Sequence, residues 1–249
     1  MCEGINLANN VFYPLLKYGY YPHQVSEDFI ISTFLKENNY VIDVGANIGY
    51  VSLLCSQYIG HGVVYSFEPS AITYNYVKQL ASQIDQIKPQ PLAVSNTAGM
   101  VRFIDEPMSD RSHIAEKQGH SGYLVECCTI DDWACKNHVE RVDFIKVDAE
   151  GHDIQVIEGA INIIKSNRPI IEFEACTLDE VSQVFNIFQN QDLTAGYRIY
   201  RCCNKYPLST QTESELTNNW FAIPRERRSS IPDFIFLRGF LKNQIVSVN

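Results

Sequence analysis

The sequence predicts an α/β domain with a mostly parallel sheet covered by helices on both faces, and three observations carry that expectation. Short apolar runs of strand length alternate with amphipathic stretches of helical period. The first run ends in a glycine-bearing turn that leads into a helix. The alternation changes only near the C-terminal end, where two strand-like runs follow one another without a helix between them. With 249 residues, 45% of them hydrophobic and 20% charged, the chain can bury one sizeable core, so one domain with appendages is expected.

The elements follow in order. Residues 1–39 are expected to form a helical or irregular N-terminal cap, and 40–249 the main domain. Tyr40 to Gly45, Val63 to Glu68, Gln90 to Ser95, Val142 to Asp148 and Pro169 to Glu174 have the length and the β-branched or aromatic content of strands. Between them Ile48, Val51, Cys55 and Tyr58 mark one helix, and Ile72, Tyr76 and Leu80 another. A third run of helical spacing carries Ile154, Ile157, Ile161 and Ile164, and a last helix is expected near Leu178 to Gln189. Tyr197 to Arg201 and Asp233 to Arg238 then read as an antiparallel edge. Two irregular stretches, 105–122 and 207–230, are expected to be lid loops, because long loops in compact domains usually serve function.

The bulk numbers limit the partners. Twenty basic against 29 acidic side chains give a formal charge of −9, a field that repels nucleic acid and anionic membrane surfaces. The local cluster Arg225, Arg227 and Arg228 reads as a solvated loop before it reads as an anion site. The eight cysteines include no C-x-x-C pair. Cys55, Cys127 and Cys176 lie in apolar segments and are expected to be small buried hydrophobes, which suits a reducing compartment and makes the cytoplasm the default location. The first residues show neither a basic stretch nor a long apolar run, so no signal peptide is expected. No stretch reaches the ~18 apolar residues of a membrane span.

Three motifs carry chemistry. In VIDVGANIGY a strand ends in Asp43, turns through Gly45 and Gly49, and enters a helix whose free amides face a ligand. A dinucleotide fingerprint starting at Gly45 would need glycines where Asn47 and Tyr50 stand, so that reading fails at two of three positions. A purely structural strand-to-helix turn is the bland alternative. The second motif is Glu68 in YSFEP, a carboxylate at the end of the next strand, where it can accept hydrogen bonds from ribose hydroxyls. Its plain alternative is a helix-start acid beside Pro69. The third is VDFIKVDAEGHD, with Lys146, Asp148 and Glu150 at alternate positions on a strand. Either Asp148 faces a ligand at the carboxyl end of the sheet, or Lys146 merely neutralises a neighbouring acid inside the fold.

Taken together, DVGANIG, FEPS and DFIKVDAEGHD resemble the FkbM family of methyltransferases over roughly Tyr40 to Glu174, and TIDDW (Thr129 to Trp133) resembles the family's segment before the fourth strand. The resemblance implies a Rossmann-like methyltransferase sandwich, a seven-stranded mostly parallel sheet with an antiparallel edge strand. It further implies S-adenosylmethionine as cofactor and methyl transfer to a hydroxyl of a sugar, glycolipid or other natural-product small molecule. Carried over by residue, Asp43, Gly45, Ala46, Asn47 and Gly49 would cradle the amino-acid half of the cofactor. Glu68, with Pro69 beside it, would meet the ribose, and Asp148 would stand near the sulfonium and the acceptor. His152 after the D-x-E-G stretch departs from the usual pattern.

Methyl transfer from a sulfonium is an in-line displacement, so the protein must orient the partners and exclude water. The acceptor proton still needs a base. Asp148, His113 and His152 are the candidates, the acid also by way of a divalent metal, though no metal-ligand cluster is legible. A cofactor-binding module without catalysis is the rival from another class. A nucleic-acid methyltransferase is a further alternative, but neither a basic stripe nor an N/D-P-P-Y/F motif is present. The sequence names neither the acceptor nor the oligomeric state.

Overall fold

The computed structural model describes residues 25–106, 112–115, 122–203, 216–230, 237–241 and 244–246. Its strands are β1 (Tyr40–Val44), β2 (Val63–Phe67), β3 (Ile87–Gln90), β4 (Ala93–Val94), β5 (Gly99–Ile104), β6 (His113–Ile114) and β7 (Tyr123–Cys128). They continue with β8 (Phe144–Val147), β9 (Ile170–Glu174), β10 (Tyr197–Cys203), β11 (Leu216–Pro224), β12 (Leu237–Leu241) and β13 (Gln244–Val246). The helices are α1 (Val25–Phe34), α2 (Tyr50–Tyr58), α3 (Ala71–Ala81), α4 (Ile130–Lys136), α5 (Asp153–Glu158), α6 (Ile161–Asn167) and α7 (Leu178–Asn190).

The main sheet runs β13-β12-β10-β11-β9-β8-β1-β2-β3. From β10 to β3 it is the expected seven-stranded unit, in which β9, β8, β1, β2 and β3 are mutually parallel and β11 runs against both neighbours. The antiparallel strand is thus next to the end of that unit, and β12 and β13 extend the sheet beyond it.

Each face of the sheet has its own core. Alternation sends Val41, Phe144, Ile170 and Phe221 toward α1 and α2, where they pack with Ile30, Val51 and Cys55. Ile42, Val44, Ile145, Val147 and Phe173 go the other way, against α4 to α7. There Trp133 of α4 meets Phe67 and Tyr65 edge-on at 4.9 and 4.8 Å and donates to the Gln90 side chain at 3.2 Å. Local chemistry sets the helix starts: Ser70 caps α3, Thr129 caps α4, and Thr177 with Glu180 closes a reciprocal capping box on α7. No described helix is long and apolar enough to cross a membrane.

Several expectations are corrected. The third strand of the main sheet is 87–90, not 90–95: its pairing with β2 ends where the Glu68 amide donates to the Gln90 carbonyl at 3.0 Å, and Ala93–Val94 joins a second sheet, β4-β7-β5-β6. The run from Ile154 to Ile164 breaks into α5 and α6 at Gly159, where a Cβ would lie 2.2 Å from the Ser95 carbonyl oxygen. The stretch 207–230, expected to be a lid loop, contains β11, whose Trp220 to Ile223 are fully buried; polar Asn218 and Asn219 disguise a central strand. Residues 207–215 of that stretch lie outside the described residues, as do 233–236 of the strand expected at Asp233 to Arg238, whose place is taken by β12. In 105–122 only 105–106, 112–115 and Gly122 are described, and they include β6. Of the cap, 1–24 lies outside, and α1 packs against α2. Cys55 and Cys127 are buried as expected, but Cys176 is exposed just past the end of β9. Arg227 is a strut, donating to the Asp143 carbonyl at 2.9 Å, and Arg168 pairs with Glu226.

Candidate active site

Register places the motifs side by side. Asp43 pairs with Ser66 on one flank and with Lys146 on the other, and Lys146 pairs with Glu172. These residues therefore form one row across four strands on the face covered by α1 and α2. Two residues further along each strand, the same registers bring Glu68, Gly45, Asp148, Glu174 and Asn219 into a second row at the carboxyl ends. All five line a cavity of about 350 Å³. At ~4.8 Å per strand the row spans roughly 19 Å from Glu68 to Asn219.

Gly45, in the middle, is required by two independent facts. Its φ is +75°, and a Cβ there would lie 1.8 Å from the Asp148 carbonyl oxygen. Gly49, at φ +87°, begins α2 and would drive a Cβ to 2.5 Å from the Leu80 side chain. Between them Asn47 is left-handed at φ +51°, and its buried carboxamide oxygen has no hydrogen-bond partner in the protein. Asn47 thus brings a left-handed backbone and an unsatisfied polar atom to the cavity wall.

Glu68 ties the first two motifs together. Its carboxylate accepts from the Asn47 amide at 2.7 Å and from the Ser70 amide at 2.9 Å. It is 5% exposed, and burial pushes its pKa up to about 7 against the pull of those amides. Ala46, Asn47, Glu68 and Pro69 all line the cavity.

Asp43 is placed differently from the expectation. It does not line the cavity but is fully buried behind the turn, accepting from the Ser52 hydroxyl at 2.5 Å, with Ser66 2.7 Å beyond. Burial raises its pKa, with Lys146 opposing. Gly49 likewise shapes the turn without lining the cavity. Lys146 is the cation of this buried group. Its ammonium sits 2.8 Å from Asp148, and although burial works against the charge, Asp148, Asp43 and Glu172 outweigh it and hold the lysine protonated. Lys146 therefore neutralises acid inside the fold, and Asp148 lines the cavity.

The two candidate histidines are not brought to the cavity. His113 lies on β6 between Ser112 and Ile114, which do line it, so alternation turns the imidazole away. His152 precedes α5, with its Nε2 3.1 Å from the Ser95 hydroxyl. The aromatic and apolar wall comes instead from Tyr50, Leu92 and, from the second sheet, Phe103 and Ile114. Glu174 and Asn219 were not singled out in the sequence; Glu172 and Glu174 alternate in PIIEFE as Lys146 and Asp148 do, a parallel that could have found the first. Asp153 was also missed. It is buried and accepts from the Ala149 amide at 3.1 Å and the Glu174 amide at 2.9 Å, fixing the ends of β8 and β9 together; burial pushes its pKa to about 7. Among the described residues no group of three His, Cys, Asp or Glu is arranged to hold a metal ion.

The likenesses to known proteins agree with this geometry. The hexuronic acid methyltransferase AglP of Haloferax volcanii is 26% identical over 143 residues, which are 56% of this chain and 58% of that protein. The crystal structure of methyltransferase FkbM from Methylobacillus flagellatus superposes with a TM-score of 0.55 at 17% identity, over 86% of this chain and 52% of that one. The chain thus spans somewhat over half the length of either relative. Residues 43–199, nearly two thirds of the sequence and the whole of the strand-end row except Asn219, match the methyltransferase FkbM domain, and the chain belongs to that family.

Proposed function

We propose that this protein is an S-adenosylmethionine-dependent O-methyltransferase acting on a hydroxyl of a sugar, glycolipid or similar small molecule. The observation that carries the reading is the row of strand ends, with Glu68 at one end, Asp148, Glu174 and Asn219 at the other, and a side-chain-free Gly45 between them. The cavity suits a nucleoside on the Glu68 side, where a buried carboxylate and the unsatisfied Asn47 oxygen await donors. Glu68 and Pro69 would hold the ribose, and Gly45, Ala46 and Asn47 the amino-acid half. When bound, this cofactor supplies a methyl group already activated on a sulfonium. The chain's part is to fix the acceptor beside Asp148 and to keep water out with Tyr50, Phe103 and Ile114.

The likeness to a hexuronic acid methyltransferase supports a sugar-type acceptor. Incubating the protein and isotopically methyl-labelled S-adenosylmethionine with an extract of its own cells, followed by mass spectrometry, tests the reading. A labelled hydroxylated product is expected. Label found only on nitrogen, on nucleic acid, or nowhere would overturn it.

A further inference from the structure

The acceptor end of the cavity holds a carboxylate to which neither the motifs nor the likeness to relatives gives a role. Glu174 is the last residue of β9, directly opposite Asn219 of β11, and both line the cavity beside Asp148 and Glu150. We propose that Glu174 takes the proton from the acceptor hydroxyl, that Asn219 hydrogen-bonds the acceptor next to it, and that Asp148 orients without deprotonating. The proposal rests on the methyl-transfer reading above and adds the residue that handles the proton.

The three carboxylates at this end differ in what they can do. Asp148 has one oxygen held at 2.8 Å by Lys146, whose side chain is 6% exposed. That contact commits one Asp148 oxygen to a buried cation, so Asp148 serves as an anchor for the acceptor. Glu150 sits on the turn past β8 at φ +47°, outside the strand register. Glu174 is in register, and its amide is bound to Asp153, so β9 and α5 fix its position together.

Its surroundings also suit proton uptake. Glu174 is faced by Lys146 of β8, Asp148 just past the end of that strand, Asp153 from α5, Cys176 after β9, Glu180 from α7 and Asn218 from β11, and Glu150 lines the same cavity. Burial first, and then the charge of Asp148, raise its pKa above the ordinary glutamate value, against Lys146 and the Asn218 hydrogen bond. A carboxylate so raised is a better base near neutral pH than a solvated one. In the step itself the acceptor oxygen bonds to the methyl carbon of the sulfonium donor. The carbon–sulfur bond breaks with its electron pair going to sulfur, and the hydroxyl proton passes to a Glu174 oxygen, from which solvent at the cavity mouth removes it.

Two measurements test this. In the first, Glu174→Gln and Asp148→Asn are compared with the parent for binding of S-adenosylhomocysteine and for labelling of the cell-extract acceptor. Glu174→Gln should bind within about twofold of the parent yet lose ~10²-fold or more in turnover, together with the acid limb of its pH–rate profile. Asp148→Asn should keep an acid limb, moved to lower pH because a neighbouring negative charge is gone. The second measurement needs no acceptor: ¹³C carboxyl NMR of the parent should show Glu174 titrating above the ordinary glutamate range, and lower in Asp148→Asn. Near-parental turnover by a Glu174→Gln protein that binds product, or ordinary titration of Glu174, overturns the assignment. Failure of the parent itself to bind product or label any acceptor counts against the methyl-transfer reading, and with it against this step.

Discussion

Gly45 and Asp148 touch through backbone alone: the turn after β1 can lie against the Asp148 carbonyl only because residue 45 has no side chain. This contact joins the first and third motifs and sets the spacing of the strand-end row. Gly45→Ala combines a φ of +75° with a Cβ only 1.8 Å from the Asp148 carbonyl oxygen, so a loss of about 2–4 kcal/mol in stability is predicted. Urea denaturation checks it. A variant as stable as the parent would show that the turn has room to move.

Lys146 is predicted to matter first for stability. It is the cation among Asp43, Asp148 and Glu172, and Lys146→Met would leave buried Asp43 and Glu172 and half-buried Asp148 without it, a loss of ~3–5 kcal/mol. Part of that loss should be recovered at acid pH, because burial raises the pKa of Asp43 and lets it shed its charge. Denaturation midpoints at pH 5 and pH 8 measure it, and a variant equally stable at both would contradict the burial argument.

Cofactor affinity should depend on pH through Glu68. Burial holds its folded pKa near 7, so at pH 6 most of the group is neutral. Ribose hydroxyls donate better to the charged form. Binding of S-adenosylhomocysteine should therefore weaken as pH falls below about 7, by up to ~10-fold per unit, and level off above it. Calorimetry from pH 5.5 to 8.5 tests this, and Glu68→Gln should bind more weakly at pH 8 and remove the dependence. The same raised pKa means that Glu68 favours the folded state fully below the ordinary glutamate value. That contribution is lost as pH rises through about 7.

The second sheet is predicted to act as a cover. Phe103, Ser112 and Ile114 reach the cavity from β5, β6 and the residue before β6. If they close over a bound ligand, the amides of 112–115 should exchange more slowly with product present. Unchanged protection there would count against a covering role.

Much of the site was legible because its signals are local. The glycine turn, the acid ending β2 and the alternation of Lys146 with Asp148 each sit within a dozen residues, and strand periodicity places them at one edge. What stayed hidden depends on pairing between distant segments. β11 carries two asparagines in its first half, and it is a core strand only because Trp220 meets Phe173, 47 positions earlier. Glu174 gains meaning only opposite Asn219. The histidines were read from residue type, whereas strand alternation at His113 and the Ser95 contact at His152 decide where the rings lie. Asp43 marks the motif correctly, yet it serves the turn from behind.

The most direct test of the central claim is calorimetric titration of the parent protein with S-adenosylmethionine, S-adenosylhomocysteine and NAD. Binding of the first two, weakened by about 1–3 kcal/mol in Glu68→Ala, with no detectable binding of NAD, is the predicted result. Tight binding of NAD with none of the sulfonium cofactor or its product would contradict it.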